Sequence, residues 1–356
     1  MHILAPNLIF ILLPAVLSFL IGIALTPVLS DYLYYYKAWK KTPGKQALDG
    51  SVAHEFNRLH NGNETRAPRM GGIVVWGSVV LTVALLAIAQ MLAPEDADRF
   101  QFLTRSQTWL PFGALIVGAI AGFLDDMLVI RPGGKGLRLR TRLLTVVALS
   151  LFVGYWFYVK LGVVAVGVPF GTPLVIGWLI VPLFVLISLA VYASGVIDGI
   201  DGLSGGVFAS IFAAYAIIAA FQEQNDLAAF CMCVVGGLLA FLWFNIPPAR
   251  FYMSDTGTMA LTLALAVVAF MTDMPGEGIG ISVLPVIGGI LVATVASNIA
   301  QIVWKKMYGK KLLRIAPLHH HFEAIGWPPY KVVMRYWVIS VVLASAGVIL
   351  ALSSHV

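Results

Sequence analysis

The middle of the chain carries the stretch Val196-Ile197-Asp198-Gly199-Ile200-Asp201-Gly202-Leu203-Ser204-Gly205-Gly206, which lies between two long apolar runs. If the segment is helical, Asp198 and Asp201 share one face, with about 5–6 Å between their Cβ atoms. Acids without partners are costly at the end of a membrane helix and usually mark ion or substrate sites. The alternative is a polar turn between helices, because Asp and Gly are common turn residues. We interpret the stretch as half of a cation site.

The composition predicts a membrane protein. The chain of 356 residues is 60% hydrophobic and 11% charged, whereas soluble domains are about 25% charged. Only helices and closed barrels satisfy their backbone hydrogen bonds in lipid, and apolar runs of about 17–24 residues are far longer than barrel strands. We predict an all-α, polytopic protein whose residues 1–356 form one transmembrane domain in the lipid bilayer. The net charge of +6 is a topology signal in such a chain and indicates no nucleic-acid partner.

Hydropathy predicts ten membrane spans. The fifth contains Pro182 and the ninth contains Pro285, which membrane helices tolerate where neighbours satisfy the freed backbone groups. The predicted spans are 7–29, 71–92, 111–129, 143–159, 174–191, 203–221, 227–243, 257–272, 281–303 and 333–352.

An even number of spans puts both termini on one side of the membrane. Of the 23 Lys and Arg residues, only Arg99, Arg105 and Lys160 fall in connections on that side. Basic loops are retained in the cytoplasm. We therefore predict that both termini lie outside and that the basic loops lie in the cytoplasm.

Five aspartates stand at membrane ends on the predicted cytoplasmic side, namely Asp125, Asp126, Asp198, Asp201 and Asp255. Clustered carboxylates repel each other unless a cation joins them, and hard oxygen ligands suit Mg²⁺, which usually also binds substrate phosphates. The surrounding basic loops would attract an anionic substrate. Such a site suits phosphoryl transfer from a soluble nucleotide to a lipid phosphate, a reaction that needs mainly positioning and charge neutralisation.

The consecutive histidines His319, His320 and His321 lie in another connection on the same side. Three consecutive residues cannot all face one metal in a regular helix or strand, which disfavours a zinc site. A packing or interfacial role is a second interpretation. We favour a third, in which the histidines bind an anion or orient a substrate phosphate.

These histidines belong to a long signature near the end of the chain. Ala316-Pro317-Leu318-His319-His320-His321-Phe322-Glu323 is followed by Gly326-Trp327-Pro328 and Lys331-Val332-Val333-Met334-Arg335-Tyr336-Trp337. The signature resembles that of the phospho-N-acetylmuramoyl-pentapeptide transferase family. Related polyprenyl-phosphate N-acetylglucosamine-1-phosphate transferases lack the triple-His-Phe-Glu block. Further matches precede this signature in the chain, in the same order as in the family. They are Pro68-Arg69-Met70-Gly71-Gly72, Gly122-Phe123-Leu124-Asp125-Asp126, Asp198-Gly199-Ile200-Asp201-Gly202-Leu203, Phe244-Asn245 and Phe251-Tyr252-Met253-Ser254-Asp255-Thr256-Gly257.

The resemblance implies ten transmembrane helices, Mg²⁺ dependence and a multi-pass location in the bacterial inner membrane. The implied reaction transfers phospho-N-acetylmuramoyl-pentapeptide from UDP-N-acetylmuramoyl-pentapeptide to undecaprenyl phosphate, giving lipid I and UMP in peptidoglycan biosynthesis. Whether the chemistry takes one step or passes through a phospho-enzyme is open. The oligomeric state, including a homodimer, is open as well.

Residue roles follow from the same resemblance. Asp198 looks like the principal Mg²⁺ ligand, and Asp255 looks like a diphosphate or metal-shell acid. Asp125 looks like the base or nucleophile towards the lipid phosphate, with Asp126 beside it. Tyr252 falls where an aromatic ring stacks on uracil. The remaining predicted groups lie near the nucleoside, phosphates or sugar, namely Asp201, Asn245, His319, His320 and His321. His320 and His321 are also predicted to be catalytic.

Several positions depart from the family pattern. Gly195-Val196-Ile197 replaces Asn-Leu-Thr, Val129 replaces a lysine, and Ser254 replaces a glycine. Ala67-Pro68-Arg69 replaces Thr-Pro-Thr.

Nearby basic residues offer substitutes for the lost groups. We predict that Arg69, Arg131 or Lys135 neutralises the diphosphate instead, because phosphate recognition by Lys or Arg tolerates a different attachment point. Lys135 lies in Gly133-Gly134-Lys135-Gly136, which lacks the full P-loop pattern and follows no strand, so we interpret this stretch as a basic turn.

Two alternatives accompany this prediction. The first is transfer of another N-acetylhexosamine-1-phosphate, such as N-acetylglucosamine-1-phosphate, to a polyprenyl phosphate. The second is a protein that is not an enzyme, either an inactive scaffold paralogue or a transporter. A transporter is expected to carry its ionisable groups near the middle of the membrane at broken helices, whereas here they stand at one face.

Overall fold

The computed structural model describes residues 4–41, 65, 67–93, 101–134, 136–273 and 278–354. Within these ranges the protein is built almost entirely of α-helices, with one two-stranded antiparallel hairpin that pairs Ala165 with Val175. The elements in chain order are α1 (Leu4–Tyr35), α2 (Gly72–Leu92), α3 (Trp109–Val129), α4 (Leu139–Val159), β1 (Ala165–Val166), β2 (Leu174–Val175), α5 (Ile180–Ala193), α6 (Leu203–Phe221), α7 (Asn225–Asn245), α8 (Ser254–Met271), α9 (Gly280–Ile287), α10 (Gly289–Tyr308), α11 (Leu318–Ala324) and α12 (Pro329–Ser353).

The predicted all-α membrane fold is confirmed. In the described part of the chain, nine helical segments are long and apolar enough to cross a membrane, and the bent pair α9–α10 makes ten if it forms one span. The two helices of this pair meet at an angle of 70°. Pro285 lies inside α9 and Gly288 separates the two helices, and both residue types weaken a helix at such a point.

Contacts at its two ends show that the bent pair crosses the bundle once. Near the start of α9, the Ile281 N–H donates to Asp273, which also accepts from the Gly167 N–H. These three residues lie at the end of α8 remote from Asp255. Past α10, the ring of His320 lies against Gly199, beside the aspartates at the other end of the bundle. The described ends of α1 and α12 therefore lie on the same side, away from the aspartates.

Helix α8 is the central helix, because most of its residues are completely buried. It packs against α3, where Gly118 and Gly122 permit direct backbone contact. A Cβ on Gly118 would lie 2.5 Å from the carbonyl oxygen of Met259. Small residues spaced four apart allow membrane helices to approach in this way. The close approach places the last turn of α3, with its two aspartates, beside the first turn of α8.

Two local predictions are corrected by the structure. The fifth span was expected from residue 174, but Leu174–Val175 is a strand and α5 begins at Ile180 after a 3-10 turn at Gly177–Leu179. Gly177 has φ +57°, a conformation that suits glycine and ends the strand before the helix. Asp198 and Asp201 do not share a helix face, because residues 198–202 form a turn. The alternative of a polar turn is therefore the correct local structure.

Candidate active site

Asp126 holds the beginning of α8. Its Oδ2 accepts hydrogen bonds from the Ser254 hydroxyl at 2.5 Å, the Thr256 hydroxyl at 2.6 Å and the Thr256 N–H at 2.9 Å. Its Oδ1 accepts from Arg69 Nε at 2.8 Å. A carboxylate is favourable at the positive end of a helix dipole. Asp126 is completely buried, and both of its oxygens are engaged within the protein.

Asp125 and Asp255 complete the acidic group with a second arginine. Asp125 Oδ2 lies 2.7 Å from Arg142 Nη2, and its Oδ1 accepts from the Leu137 N–H at 2.5 Å. Asp255 lies between the two arginines, 3.4 Å from Arg142 Nη1 and 3.5 Å from Arg69 Nη2. Potential ligand oxygens of Asp125, Asp126 and Asp255 all lie within 4.8 Å of one another. We call these three residues the acid cluster.

Arg69 is fixed by its backbone. Its N–H donates to the Ala38 carbonyl at 2.7 Å, and the next N–H, of Met70, donates to the Ser254 hydroxyl at 2.9 Å. Burial alone lowers the pKa of the Arg69 guanidinium, but the charges of Asp126 and Asp255 outweigh it and hold the pKa above the ordinary value. Arg69 is therefore a permanent cation at the acid cluster.

Arg142 is a site residue that was not predicted from the sequence. It lies in the first turn of α4, and its guanidinium contacts two members of the acid cluster. Gly136, with φ +70°, allows the preceding loop to approach, because a Cβ there would lie 3.0 Å from both Asp125 Oδ1 and Arg142 Nη2. The one available signal was that Arg142 is the last basic residue before the fourth apolar run.

Asp198 is joined to the acid cluster through Ser254. The Ser254 N–H donates to Asp198 Oδ2 at 2.8 Å, while the Ser254 hydroxyl donates to Asp126. Asp198 Oδ1 accepts from the Ser204 hydroxyl at 2.8 Å. Burial raises the pKa of Asp198 above its ordinary value, against the lowering effect of these two hydrogen bonds. Asp198 is not one of the three residues of the acid cluster, so its predicted role as principal metal ligand stays a prediction.

Asn245 connects the turn that begins at Asp198 with the loop that precedes Asp255. Its side-chain oxygen accepts from the Gly202 N–H at 2.8 Å, and its Nδ2 donates to the Phe251 carbonyl at 2.8 Å. Both ends of this amide therefore hold backbone, which is a positioning role. The predicted contact of Asn245 with substrate stays a prediction.

The two residues predicted to lie near the nucleoside also stand at these loops. Asp201 Oδ2 accepts from the Ala249 N–H at 3.0 Å. The backbone of Tyr252 pairs with the Arg69 segment through Pro68 and Gly71, with N–O distances of 2.9 and 2.7 Å. Tyr252 thus lies in the loop between α7 and α8 that leads to the acid cluster, and Asp201 binds the backbone of the same loop.

The three histidines do not act as one group. His319 Nε2 and His320 Nε2 both point at Gly199, where a Cβ would lie 2.7 and 2.6 Å from them. His320 Nδ1 lies 2.6 Å from Glu323 Oε2, and both side chains are buried. His321 points elsewhere, because its Nδ1 accepts from the Arg314 N–H at 3.2 Å. This arrangement agrees with the argument that three consecutive histidines cannot face one metal.

Of the predicted basic residues, Arg69 is the one that the described part of the chain places at the acid cluster. Arg131 is exposed, and Lys135 lies outside the described residues. Within this stretch Gly133 lies in a turn, and Gly133 and Gly136 have φ values of +69° and +70°. Arg69 and Arg142 supply the cations that contact the acids.

Comparison with known proteins identifies the family. Residues 108–273 match the family "Glycosyl transferase family 4". The chain is 34% identical to the phospho-N-acetylmuramoyl-pentapeptide-transferase of Geobacillus sp. (strain WCH70), over 94% of this chain and 96% of that protein. It is 33% identical to the protein of the same name from Bacillus mycoides (strain KBAB4), over 95% of this chain and 97% of that protein. The chain belongs to the phospho-N-acetylmuramoyl-pentapeptide transferase family.

One departure from the family pattern, Ser254 in place of glycine, has structural consequences. Ser254 has φ +55°, in the left-handed region that glycine adopts without strain. The family's glycine suits this conformation. The serine found here brings a Cβ into it but adds a hydroxyl that bonds to Asp126 and accepts from Met70.

The acid cluster is compatible with a divalent cation, since carboxylate oxygens are the ligands that hard cations prefer. Both oxygens of Asp126 accept hydrogen bonds, whereas Asp125 accepts one at Oδ1 and forms an ion pair with Arg142 at Oδ2. Asp255 is the member with the longest ion pairs and a side chain that is 22% exposed. Asp255 therefore has the most room for a cation.

Proposed function

We propose that this protein transfers phospho-N-acetylmuramoyl-pentapeptide from UDP-N-acetylmuramoyl-pentapeptide to undecaprenyl phosphate, giving lipid I and UMP. The observation that carries the proposal is the convergence of Asp125, Asp126 and Asp255 with two arginines at one end of an apolar helix bundle. Membership of the family supports this choice of reaction. The placement of the charged groups at helix ends also supports an enzyme over a transporter, which would carry them near the membrane centre.

The proposed cofactor is Mg²⁺, held by Asp255 and Asp198 with Asp125 and Asp126 nearby. A bound Mg²⁺ neutralises diphosphate charge and orients the phosphates for in-line attack. Asp125 is held beside Arg142 and the Leu137 N–H. It is the proposed group that activates the lipid phosphate.

The proposed donor site extends from the acid cluster towards α11. Tyr252 and Asp201 would receive the uridine, because Tyr252 lies in the loop that leads into α8 and Asp201 accepts a hydrogen bond from the Ala249 N–H of that loop. His319 and His320 would bind phosphate or sugar oxygens beside the loop that carries Asp198. His321 is proposed only as a peripheral group, since its ring is directed to the Arg314 backbone.

We further propose that the acid cluster faces the cytoplasm of a bacterial cell and that the protein resides in the inner membrane. The basic residues concentrate in the connections at the end of the bundle that carries the acid cluster, and such loops are retained inside. A cytoplasmic site would meet the soluble UDP-linked donor on one side and the lipid phosphate at the membrane surface.

The test uses purified protein, undecaprenyl phosphate, Mg²⁺ and each donor in turn, with UMP and the lipid product both quantified. We expect slow but genuine turnover of UDP-N-acetylmuramoyl-pentapeptide, faster than that of UDP-N-acetylglucosamine. Faster turnover of the second donor would assign the protein to the N-acetylglucosamine-1-phosphate class. Absence of UMP from both donors, with folded protein, would show an inactive scaffold.

A further inference from the structure

The acid cluster carries its own counter-cations. Arg69 bridges Asp126 and Asp255, with Nε 2.8 Å from the first carboxylate and Nη2 3.5 Å from the second. Arg142 bridges Asp125 and Asp255 in the same way, at 2.7 and 3.4 Å. Asp255 is thus shared by two guanidinium groups, and both of its ion pairs are the long ones.

The two arginines are not equivalent. Arg142 projects from the first turn of α4 and makes its short ion pair with Asp125, whose other oxygen is bound by the Leu137 N–H. Arg69 makes its short ion pair with Asp126, which has three further donors on Ser254 and Thr256. Asp126 would therefore keep hydrogen bonds without Arg69, and the beginning of α8 does not depend on this guanidinium.

From this arrangement we infer that Arg69 and the divalent cation compete for Asp255, so that Arg69 sets the affinity of the site for the cation. A cation that binds Asp255 must take the place of at least one long guanidinium contact. The backbone of Arg69 is fixed by Ala38 and Ser254, so a displaced Arg69 head group stays beside the cation. There it is positioned to neutralise an incoming diphosphate, which guanidinium groups bind well.

This inference rests on the proposed function for the identity of the diphosphate, but the competition itself is tested without any substrate. Binding of Mn²⁺ to the purified protein is measured by loss of the free-ion paramagnetic resonance signal. Removing a positive charge a few ångströms from a divalent ion strengthens binding substantially. We expect Arg69→Ala to bind Mn²⁺ about tenfold more tightly than the wild type, and Arg69→Lys, which keeps the charge but lacks the planar fork of arginine, to be intermediate.

Arg140→Ala is the matched control, because Arg140 is an exposed arginine on the same face of the protein and its loss changes the net charge equally. Its Mn²⁺ affinity should stay within about twofold of the wild type, since exposed charges are screened. Equal or weaker Mn²⁺ binding by folded Arg69→Ala would overturn the competition. If Arg69→Ala fails to fold, Arg69→Gln takes its place with the same expectation.

Turnover then tests the second half of the inference. With the pentapeptide donor, Arg69→Ala should show a raised KM and a lowered kcat despite its tighter Mn²⁺ binding, and Arg69→Lys should recover part of both. Unchanged kinetics in Arg69→Ala would remove the diphosphate role. A wild type without activity but with the expected Mn²⁺ series would contradict the proposed function and leave the competition standing.

Discussion

Gly122 of α3 packs directly against the backbone of Asp255 in α8, since a Cβ at Gly122 would lie 2.0 Å from the Asp255 carbonyl oxygen. Three residues further along α3, Asp125 reaches the same Arg142 that pairs with Asp255. The geometry of the acid cluster is therefore fixed by a glycine contact between two apolar helices.

Gly122→Ala should separate α3 from α8 and destabilise the protein by about 1–3 kcal/mol, the usual cost of overpacking. The rate of UMP release should fall by more than the loss of folded protein explains, because the acids move apart. Gly113→Ala on the same helix is the control, as a Cβ there meets no heavy atom within 4 Å in the described part of the chain. Thermal unfolding in detergent and UMP release measure the two effects. Equal behaviour of both variants would contradict the role given to Gly122.

Ser254 allows backbone strain and hydrogen bonding to be separated. Ser254→Ala and Ser254→Gly both remove the hydroxyl that binds Asp126, but only alanine keeps a Cβ at φ +55°. We expect Ser254→Gly to be more stable than Ser254→Ala by about 1 kcal/mol, the cost of a Cβ in the left-handed region. Denaturation midpoints of the two variants provide the measurement. A more stable alanine variant would show that the position carries no strain.

Asp198→Asn tests the predicted role of Asp198, in the turn at residues 198–202, as the principal Mg²⁺ ligand. The substitution keeps the size of the side chain but removes the negative charge, and losing one strong transition-state contact costs about 10²–10³ in rate. We expect at least this loss, without rescue by high Mg²⁺. Asp31→Asn is the control, because Asp31 is an exposed acid near the same end of the bundle. Near-normal turnover in Asp198→Asn would exclude Asp198 as a principal ligand.

Asp273 lies at the end of the bundle remote from the acid cluster. We expect it to make the stability of the folded protein depend on pH. Burial raises its pKa to about 7, against the lowering effect of N–H donors from Gly167 and Ile281, whereas an unfolded aspartate has a pKa of about 3.9. The folded state then binds more protons than the unfolded state between these values. The protonated carboxyl group of Asp273 therefore contributes stability to the folded state. This contribution is complete below about pH 4 and is lost as the pH rises to about 7.

The corresponding measurement is the melting temperature of wild type and Asp273→Asn from pH 4 to pH 8. The difference between the two curves should change across pH 4 to 7 and become constant above about pH 7, because the variant lacks the titrating group. A difference that is independent of pH over the whole range would show that Asp273 titrates alike in the folded and unfolded states.

The orientation in the membrane is tested with two exposed lysines at opposite ends of the bundle, Lys160 and Lys310. Each is replaced by cysteine in a Cys231→Ala, Cys233→Ala background. In intact cells an impermeant thiol reagent should label position 160 and spare position 310, because basic loops are retained in the cytoplasm. Permeabilised cells should label both. Labelling of position 310 alone in intact cells would invert the orientation and place the acid cluster outside.

Much of the architecture could be predicted from hydropathy. Ten apolar runs correspond to the nine helical segments and the bent pair, and Pro285 in the ninth run lies near the break. The start of the fifth span was wrong, because an apolar run does not distinguish a short strand from a helix. Here Leu174–Val175 pairs with β1, and only the contact with that strand decides its structure.

The sequence by itself determined which acids stand at one end of the bundle, since counting membrane crossings places Asp125, Asp198 and Asp255 on one side. Only the tertiary structure decided which cations reach them and which histidines face the turn at Gly199. Arg142 contacts Asp125 and Asp255, and His321 turns away from Gly199, because the direction of a side chain depends on the rotation and crossing of each helix. Hydropathy fixes how many times the chain crosses the membrane, but the contact of Gly122 with α8 fixes the geometry of the site.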